Sequence, residues 1–248
     1  MRSRVTNIRA LAFGLGLFAS VAQGQAGDAP AKIEKGHGVP VTFYTPGDPG
    51  KPLVQAEERL VQEGDLVRSA TIYKDDDGVE AQIEECVYDP KTLAISYYRF
   101  EDKKSGELSE VIVEGERART KHRADATSST STDEIAWGPQ SFAGKIMPEL
   151  LRRNWAALMA GDEVRFDLYL PFRMSTIGFR LVRHDETLAG GAVSFRAEPS
   201  NWIIRQFAPT VYFTYDAPGV EAAKLVHFRG PASVAIDGKK HRTVEARF

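Results

Sequence analysis

The sequence predicts a mainly β protein of the α+β class, in which a curved antiparallel sheet or open half-barrel carries one long and one short helix on one face. Three observations predict this fold. Apolar and polar residues alternate with a period of two over most of the chain from Leu66 onward, as in strands that bury one face. Asp-Gly, Asp-Pro and Ser-Gly pairs separate the alternating runs, as expected of hairpin turns. Two segments have the helical period instead.

The amino terminus has the composition of an export signal. Three arginines within the first nine residues precede the apolar run ALAFGLGLFASV, and Ala22 and Gly24 supply small residues before a cleavage point. An apolar run of about a dozen residues is too short to span a bilayer, which needs about 20. We therefore expect a signal peptide over residues 1–24 and a mature chain that is periplasmic or secreted, without a transmembrane segment.

The remaining chain divides into an arm and one domain. Residues 25–52 are rich in Gly and Pro, and we expect a flexible arm there with one short strand candidate, VTFYT. Residues 53–248 are expected to form a single β-rich domain. Within it, the polar segment ADATSSTSTDE at 124–134 has no apolar period and predicts a loop between two halves.

The alternating runs between Leu66 and His122 predict a meander of antiparallel hairpins with one packed and one solvated face. In the run VEAQIEECVYD, the face expected to pack holds Val79, Ala81, Ile83 and Val87. The face expected to meet solvent holds Glu80, Gln82 and Glu84. The single cysteine, Cys86, lies in this run, so no internal disulfide is expected and burial must stabilise the fold.

The longer helix is predicted over residues 148–160. Apolar residues recur there at helical spacing, Pro148 suits the first turn, and Gly161 supplies a stop. Its apolar stripe needs a large partner, so we expect the helix to cross the concave face of the sheet. Trp155 is then expected to be partly accessible when a ligand space is empty.

The shorter helix is predicted over the segment NWIIRQFA, with Ser200 or Asn201 as the N-cap and an end before Pro209. Ile203 and Phe207 share one face at a spacing of four residues. We expect these two side chains to be buried against the sheet, with Trp202 at the rim.

Charge is distributed unevenly along the chain. Residues 25–139 carry a net charge of −9, residues 140–248 carry +4, and the whole chain carries −2. Nucleic-acid binding would favour a strongly basic domain, so no nucleic-acid partner is expected. A local basic patch facing anionic head groups remains compatible with the carboxyl-terminal half.

No motif for catalysis, metal binding or a cofactor is present. No two of the five histidines stand three or four residues apart, and KDDDG at 74–78 lacks the ligand spacing of an EF-hand. The sequence also lacks G-x-S-x-G, P-loop and dinucleotide fingerprints. We therefore expect no catalytic residue, no metal and no cofactor, and a non-enzymatic protein.

Aromatic residues are concentrated in the two helices and the strands expected beneath them. A sheet of this kind either fills its concave side or leaves a cleft for an apolar ligand. Arginines interleave with these residues and could meet a phosphate or carboxylate head group. The candidate ligand-binding residues are Trp155, Phe166, Phe179, Trp202, Arg205 and Phe213.

The order of these elements carries a resemblance. A signal peptide, a hairpin meander, a covering helix, more strands, a short Trp helix and a closing hairpin resemble exported proteins of the lipoprotein-carrier type, which are open half-barrels with a helical lid. The segment VYFTYDAPGVEAAKLVHFRGPASV is similar to the closing hairpin of an uncharacterised bacterial periplasmic family. No functional residue follows from either resemblance.

Three functions remain open. The first is an exported periplasmic protein that binds or shuttles an apolar or lipid-like ligand in the cell envelope. The second is a non-catalytic structural or protein-interaction module whose apolar cleft is only core. The third, less favoured, is a hydrolase that uses scattered carboxylates.

Overall fold

The computed structural model describes residues 39–75, 77–144, 146–184, 188–217, 219–220, 223–231 and 243–248. The expected signal peptide and the part of the expected arm before Val39 lie outside these residues. Within the described ranges, no helix has the length and apolar character that crossing a bilayer requires.

The described residues form one sheet and three short helices. The strands of the amino-terminal half are β1 (Val39–Thr45), β2 (Asp48–Glu63), β3 (Leu66–Lys74), β4 (Glu80–Tyr88), β5 (Ile95–Asp102), β6 (Glu107–Glu114), β7 (Arg117–Arg123) and β8 (Ser131–Ala136). Those of the carboxyl-terminal half are β9 (Ser141–Phe142), β10 (Val164–Leu170), β11 (Ser175–His184), β12 (Val193–Pro199), β13 (Val211–Tyr215), β14 (Leu225–Pro231) and β15 (Thr243–Arg247). The helices are α1 (Met147–Arg153), α2 (Trp155–Ala160) and α3 (Trp202–Arg205), and 3-10 turns occur at Pro171–Arg173 and Ala189–Gly191.

The mainly β, antiparallel character of the fold is confirmed. The strand order is β8-β7-β6-β5-β4-β3-β2-β1-β15-β14-β13-β12-β11-β10-β9, so each half is a meander and the sheet is open. The two halves join where β1 pairs with β15, with Phe43 opposite Ala246. The pairing of β9 with β10 is parallel and departs from the otherwise antiparallel arrangement.

The Gly/Pro-rich segment after Val39 belongs to the sheet. Residues 39–52, which the sequence assigned to an arm, form β1 and the beginning of β2. Pro46 and Gly47 make the turn between them, and Gly47 has a φ of 78° that suits glycine. The turn residues that predicted an arm therefore mark a hairpin.

Ring contacts join elements that are far apart in the strand order. The rings of Tyr98 on β5 and Tyr169 on β10 lie 6.3 Å apart in an edge contact, although nine strands stand between β5 and β10. With about 4.8 Å between neighbouring strands, a flat sheet would hold β5 and β10 about 48 Å apart. The sheet therefore bends back over one of its faces.

The facing of β4 is the reverse of the prediction at Gln82 and Glu84, whereas Glu80 is exposed and Val87 is buried, as predicted. Gln82 and Glu84 are each only 1% exposed, whereas Val79 is 61% exposed and Ile83 is half-buried. Alternation has a period of two and separates the two faces of a strand, but it does not say which face is buried. Cys86 and Tyr88 share the buried face with the two polar residues, and Tyr98 donates a hydrogen bond to Glu84 there.

The long helix predicted over 148–160 is two helices. Asn154 separates α1 from α2 with φ −101° and ψ 15°, outside the helical region. Its side-chain Nδ2 donates to the carbonyl of Leu150 at 2.8 Å, and such local bonds compete with helix continuation. Gly161 ends α2, as predicted, and has the left-handed conformation.

The polar segment 124–134 is only partly a loop. Residues 131–134 belong to β8, which pairs antiparallel with β7 from Arg117–Ala136 to His122–Ser131. The strand forms one edge of the sheet and is almost wholly exposed. Since neither face of β8 packs deeply into the core, the strand has no apolar alternation by which to recognise it.

Candidate functional site

The helix α3 presents three large apolar side chains to solvent. Trp202 is 66% exposed, Ile203 is 52% exposed and Phe207, just after the helix, is 55% exposed. We call these three residues the apolar tip. Ala208 instead is buried, and the partly buried Ile204 packs against the core. The prediction that Ile203 and Phe207 are buried is therefore wrong, because the helix is too short to present a full face to the sheet.

The start of α3 follows the prediction. Asn201 is the N-cap, and its side-chain oxygen accepts hydrogen bonds from the backbone N–H groups of Ile203 at 2.9 Å and Ile204 at 3.5 Å. These bonds satisfy backbone donors that have no partner within a first helical turn. The cap thus fixes where the exposed residues begin.

Arg205 ties α3 to the end of β12. Its guanidinium donates to the carbonyl oxygens of Pro199 at 3.1 Å and Ser200 at 3.2 Å. The same group lies 3.2 Å from Oε1 of Glu198. Arg205 therefore fixes the position of the apolar tip and stands directly beside it.

Glu198 is a buried carboxylate that three arginines share. Its side chain is 6% exposed, and Arg180 approaches Oε1 with Nε at 2.9 Å and with a terminal nitrogen at 2.6 Å. Arg196 lies 3.6 Å from Oε2. Burial lowers the pKa of Arg180, but hydrogen bonds to Glu163 and Glu198 outweigh it and the net pKa shift is upward. The cluster locks β11, β12 and α3 together.

Four of the six candidate ligand-binding residues lie in the core. Trp155 on α2 is 5% exposed, and Phe166, Phe179 and Phe213 are also buried. The ring of Trp155 meets the rings of Phe195 and Tyr215 in edge contacts, each at 4.9 Å. The expected partial accessibility of Trp155 is thus not observed. The structure gathers the other two candidates, Trp202 and Arg205, on α3.

The inner face of the amino-terminal half carries a row of five polar residues and one phenylalanine that the sequence did not predict. Residues opposite one another across successive strands run in the order Glu58, Thr71, Glu84, Phe100, Ser109 and His122. All but the half-buried His122 are buried. Charged residues alternating with apolar ones resemble a solvated face in sequence, so no signal distinguished this row from the wet side.

The segment before α1 covers part of this polar row. Gly144 lies against Tyr98 and Glu84, with a φ of 64°, and a Cβ there would stand 2.7 Å from the Tyr98 ring. Cys86 donates a weak hydrogen bond from Sγ to the carbonyl of Ala143 at 3.8 Å. Burial, with a smaller effect of Glu84, raises the pKa of the Cys86 thiol, which therefore stays protonated and unreactive.

An open groove runs along β6, β7 and β8. Its volume is about 440 Å³. The lining residues are Glu110, Ile112, Arg119, Thr120, Lys121, Thr132, Asp133 and Glu134. None of the candidate ligand-binding residues lines it. Its charges are mixed in sign, and Arg119 and Glu134 each take an ion pair with a neighbour, Glu114 and Arg117. The groove therefore offers no clear preference for one ligand charge.

Comparison with known proteins gives no relative for this chain. No protein-family model, no curated protein and no solved structure matches it. Among the described residues, no group of three or more His, Cys, Asp or Glu is arranged to hold a metal ion. The arguments for function therefore rest on the apolar tip and the charges beside it.

The sequence indicates only part of the arginine cluster. Arg196 and Glu198 are two residues apart on a strand and must share a face. Arg180 pairs with Glu198 across β11 and β12. Alternation along the strand predicts that Arg196 and Glu198 share a face. Only the pairing of β11 with β12 brings Arg180 to them.

Proposed function

We propose that this protein is an exported envelope protein that binds lipid, and that the contact is made by the apolar tip on α3. The single observation that carries the proposal is the exposure of Trp202, Ile203 and Phe207 in one short segment. Scattered single apolar residues are normal on a protein surface, but adjacent large ones mark an interaction site. The expected signal peptide supports an address outside the cytoplasm.

The chemistry of the tip suits a membrane surface. Tryptophan is enriched at membrane interfaces because its ring is apolar and its N–H can still meet the polar layer. Arg205 stands beside Trp202 with part of its side chain exposed. An aromatic and aliphatic tip with an adjacent cation is suited to insert among head groups while its cation stays at their level.

The tip is held rigidly, which favours binding. The Asn201 cap, the bonds from Arg205 to the chain before α3, and the ion pair with Glu198 fix the exposed residues before any ligand arrives. A site that is already ordered loses less conformational entropy on association. We infer that the tip is a preformed contact surface.

The architecture supports a finer proposal for the fold. The Tyr98–Tyr169 contact between distant strands and the packing of Trp155 against β12 and β13 favour a half-barrel whose concave side is covered by α1 and α2. This is the arrangement that the resemblance to carrier-type proteins implies. Whether such a cover opens to admit a ligand is a separate proposal from contact at the tip.

A specific observation favours the alternative of a structural or interaction module. Trp155 is buried against Phe195 and Tyr215, so its ring occupies space on the concave side that a ligand would need. In that case the apolar tip would contact another protein. The two functions differ in one measurable respect, since only the first requires the isolated protein to bind lipid.

Vesicle co-sedimentation of the mature protein tests the proposal. We expect the wild type to bind vesicles of phosphatidylcholine and phosphatidylglycerol, and the double variant Trp202→Ala/Phe207→Ala to bind at least about tenfold more weakly because apolar burial is lost. Phe248→Ala is the matched control. Phe248 is 41% exposed and follows the carboxyl end of β15, which lies at the opposite end of the strands from the end of β12 that leads into α3. Its loss should leave binding unchanged.

Two results would count against lipid contact at the tip. One is a wild-type protein that does not sediment with any vesicle, which would favour the interaction module. The other is an equal loss of binding in the Phe248→Ala control, which would show a non-specific apolar effect. Circular dichroism of all variants establishes that they are folded.

A further inference from the structure

The cluster around Glu198 has more positive than negative charge. Arg180, Arg196 and Arg205 all approach Glu198. Arg180 also pairs with Glu163 at 2.6 Å, and Arg165 reaches the same carboxylate at 2.7 Å. Four guanidinium groups therefore share two carboxylates. A cluster with this excess of positive charge attracts an anion.

Arg196 is the arginine of this cluster that is held least. Its Nε lies 3.6 Å from Glu198, beyond ordinary hydrogen-bond distance, and this buried atom has no hydrogen-bond partner among the described residues. The side chain as a whole is still 36% exposed. Because Arg180 and Arg205 already occupy the other oxygen of the carboxylate, Arg196 keeps donor capacity for a group that arrives from solvent.

A second arginine stands in the same row across the sheet. Arg196 on β12 is directly opposite Tyr212 on β13, and Tyr212 is directly opposite Arg229 on β14. Directly opposite residues point to the same face. Two strand spacings place the Cα atoms of the two arginines about 10 Å apart, a separation that their long side chains can close over one anion between them.

Arg229 makes no ion pair with any described residue and is exposed. Glu245 lies opposite it on β15, but that carboxylate is approached by the His227 ring at 3.7 Å and by the backbone N–H of Gly47 at 3.3 Å. Arg229 can therefore turn toward Tyr212 and Arg196 without breaking a bond.

We propose that Arg196, Tyr212 and Arg229 bind the phosphate of an anionic lipid head group while the apolar tip enters the bilayer. Guanidinium groups bind phosphate oxygens with paired hydrogen bonds, and the Tyr212 hydroxyl adds a donor between them. Arg196 and Arg205 approach the same carboxylate, so the phosphate site and the tip are neighbours. This inference rests on the proposed function and names the lipid class that it selects.

The test compares two vesicle compositions, phosphatidylcholine alone and phosphatidylcholine mixed with phosphatidylglycerol. We expect the wild type to prefer the anionic vesicles and Arg196→Gln/Arg229→Gln to lose about 30-fold in affinity for them, with little change on neutral vesicles. Arg196→Lys/Arg229→Lys keeps the charge but loses the paired geometry, and should recover only part of the affinity.

The charge-matched control is Arg117→Gln/Arg119→Gln on β7, which removes the same charge from the other half of the molecule. We expect this control to bind anionic vesicles like the wild type. An equal loss in the control, or wild-type affinity in Arg196→Gln/Arg229→Gln, would overturn the phosphate site while leaving lipid contact at the tip intact. A wild type that binds neither vesicle would instead remove the proposed function.

Discussion

Tyr98 on β5 donates a hydrogen bond to Oε1 of Glu84 on β4 at 3.2 Å, with both side chains buried. Gly144, in the segment that leads into α1, packs against both of these side chains. The pair therefore joins the polar inner face to that segment. A buried carboxylate needs such donors, since an unsatisfied one would cost the full penalty of its desolvation. The amino-terminal half is therefore held by polar contacts as well as by apolar packing.

Gly144→Ala should destabilise the protein more than Gly115→Ala. Both glycines have positive φ, 64° and 65°, but a Cβ at Gly144 would stand 2.7 Å from the Tyr98 ring, whereas nothing lies within 4 Å at Gly115. We expect about 1–2 kcal/mol for Gly115→Ala from backbone strain and about 1–3 kcal/mol more for Gly144→Ala from overpacking. Urea unfolding measures both, and equal costs would mean that the packing at Tyr98 is loose.

Stability should fall in alkaline solution. Burial is the main cause that raises the pKa of Tyr88, Tyr98, Tyr169 and Tyr215 above the usual value near 10. The folded state then holds protons that the unfolded state has released, so this stability is complete below about pH 10 and declines as the pH rises toward the folded pKa values. Urea unfolding between about pH 8 and pH 11 should show the decline.

Tyr215→Phe removes one of the phenols responsible and should make that decline less steep. A free energy of unfolding that stays constant up to about pH 11 would contradict the expectation, because it would mean that these phenols ionise in the folded protein as easily as in the unfolded chain.

Glu198→Gln should be far more damaging than Glu163→Gln. Removing the charge of Glu198 leaves three arginines around a buried neutral group, and we expect a loss of about 3–5 kcal/mol. The side chain of Glu163, which pairs with Arg180, is 25% exposed. Removing its charge should therefore lower the free energy of unfolding by only about 0–1 kcal/mol. Thermal unfolding of the two variants measures this difference in stability. A small loss of stability in Glu198→Gln would mean that other contacts hold α3 in place.

Phe207→Ala and Phe213→Ala form a matched pair. Phe207 is 55% exposed and Phe213 is fully buried. We expect Phe207→Ala to change stability by less than about 0.5 kcal/mol, as surface substitutions do, and Phe213→Ala to cost about 3–5 kcal/mol. If Phe207→Ala also cost several kcal/mol, Phe207 would belong to the core and the apolar tip would have to be redrawn.

Much of the fold could be predicted from local signals. The period of two located most strands, Gly161 located the end of α2, and Asn201 located the start of α3, because each depends on neighbouring residues only. The facing of β4 could not be predicted this way, since Glu84 is accommodated by Tyr98, which lies on another strand. Sequence alternation gives the two faces of a strand but does not say which face a distant partner will make acceptable.

The candidate site was predictable in composition but less so in arrangement. Aromatic content selected Trp155 and Trp202 alike, although Trp155 on α2 is buried against the sheet and Trp202 is exposed. The difference arises from helix length, because a four-residue helix cannot bury both sides. The alignment of Arg229 with Arg196 could not be predicted from the sequence, since only the pairing of β12, β13 and β14 brings the two arginines into one row.

The most direct test of lipid contact at the apolar tip is the fluorescence of Trp202. The chain has three tryptophans, and Trp137 and Trp155 are each 5% exposed while Trp202 is 66% exposed. Acrylamide should therefore quench mainly Trp202 in buffer. We predict that vesicles containing phosphatidylglycerol shift the emission to shorter wavelength and protect it from quenching, and that Trp202→Phe abolishes both changes. Emission and quenching that stay the same when vesicles are added, or changes that persist in Trp202→Phe, would contradict lipid contact at the tip.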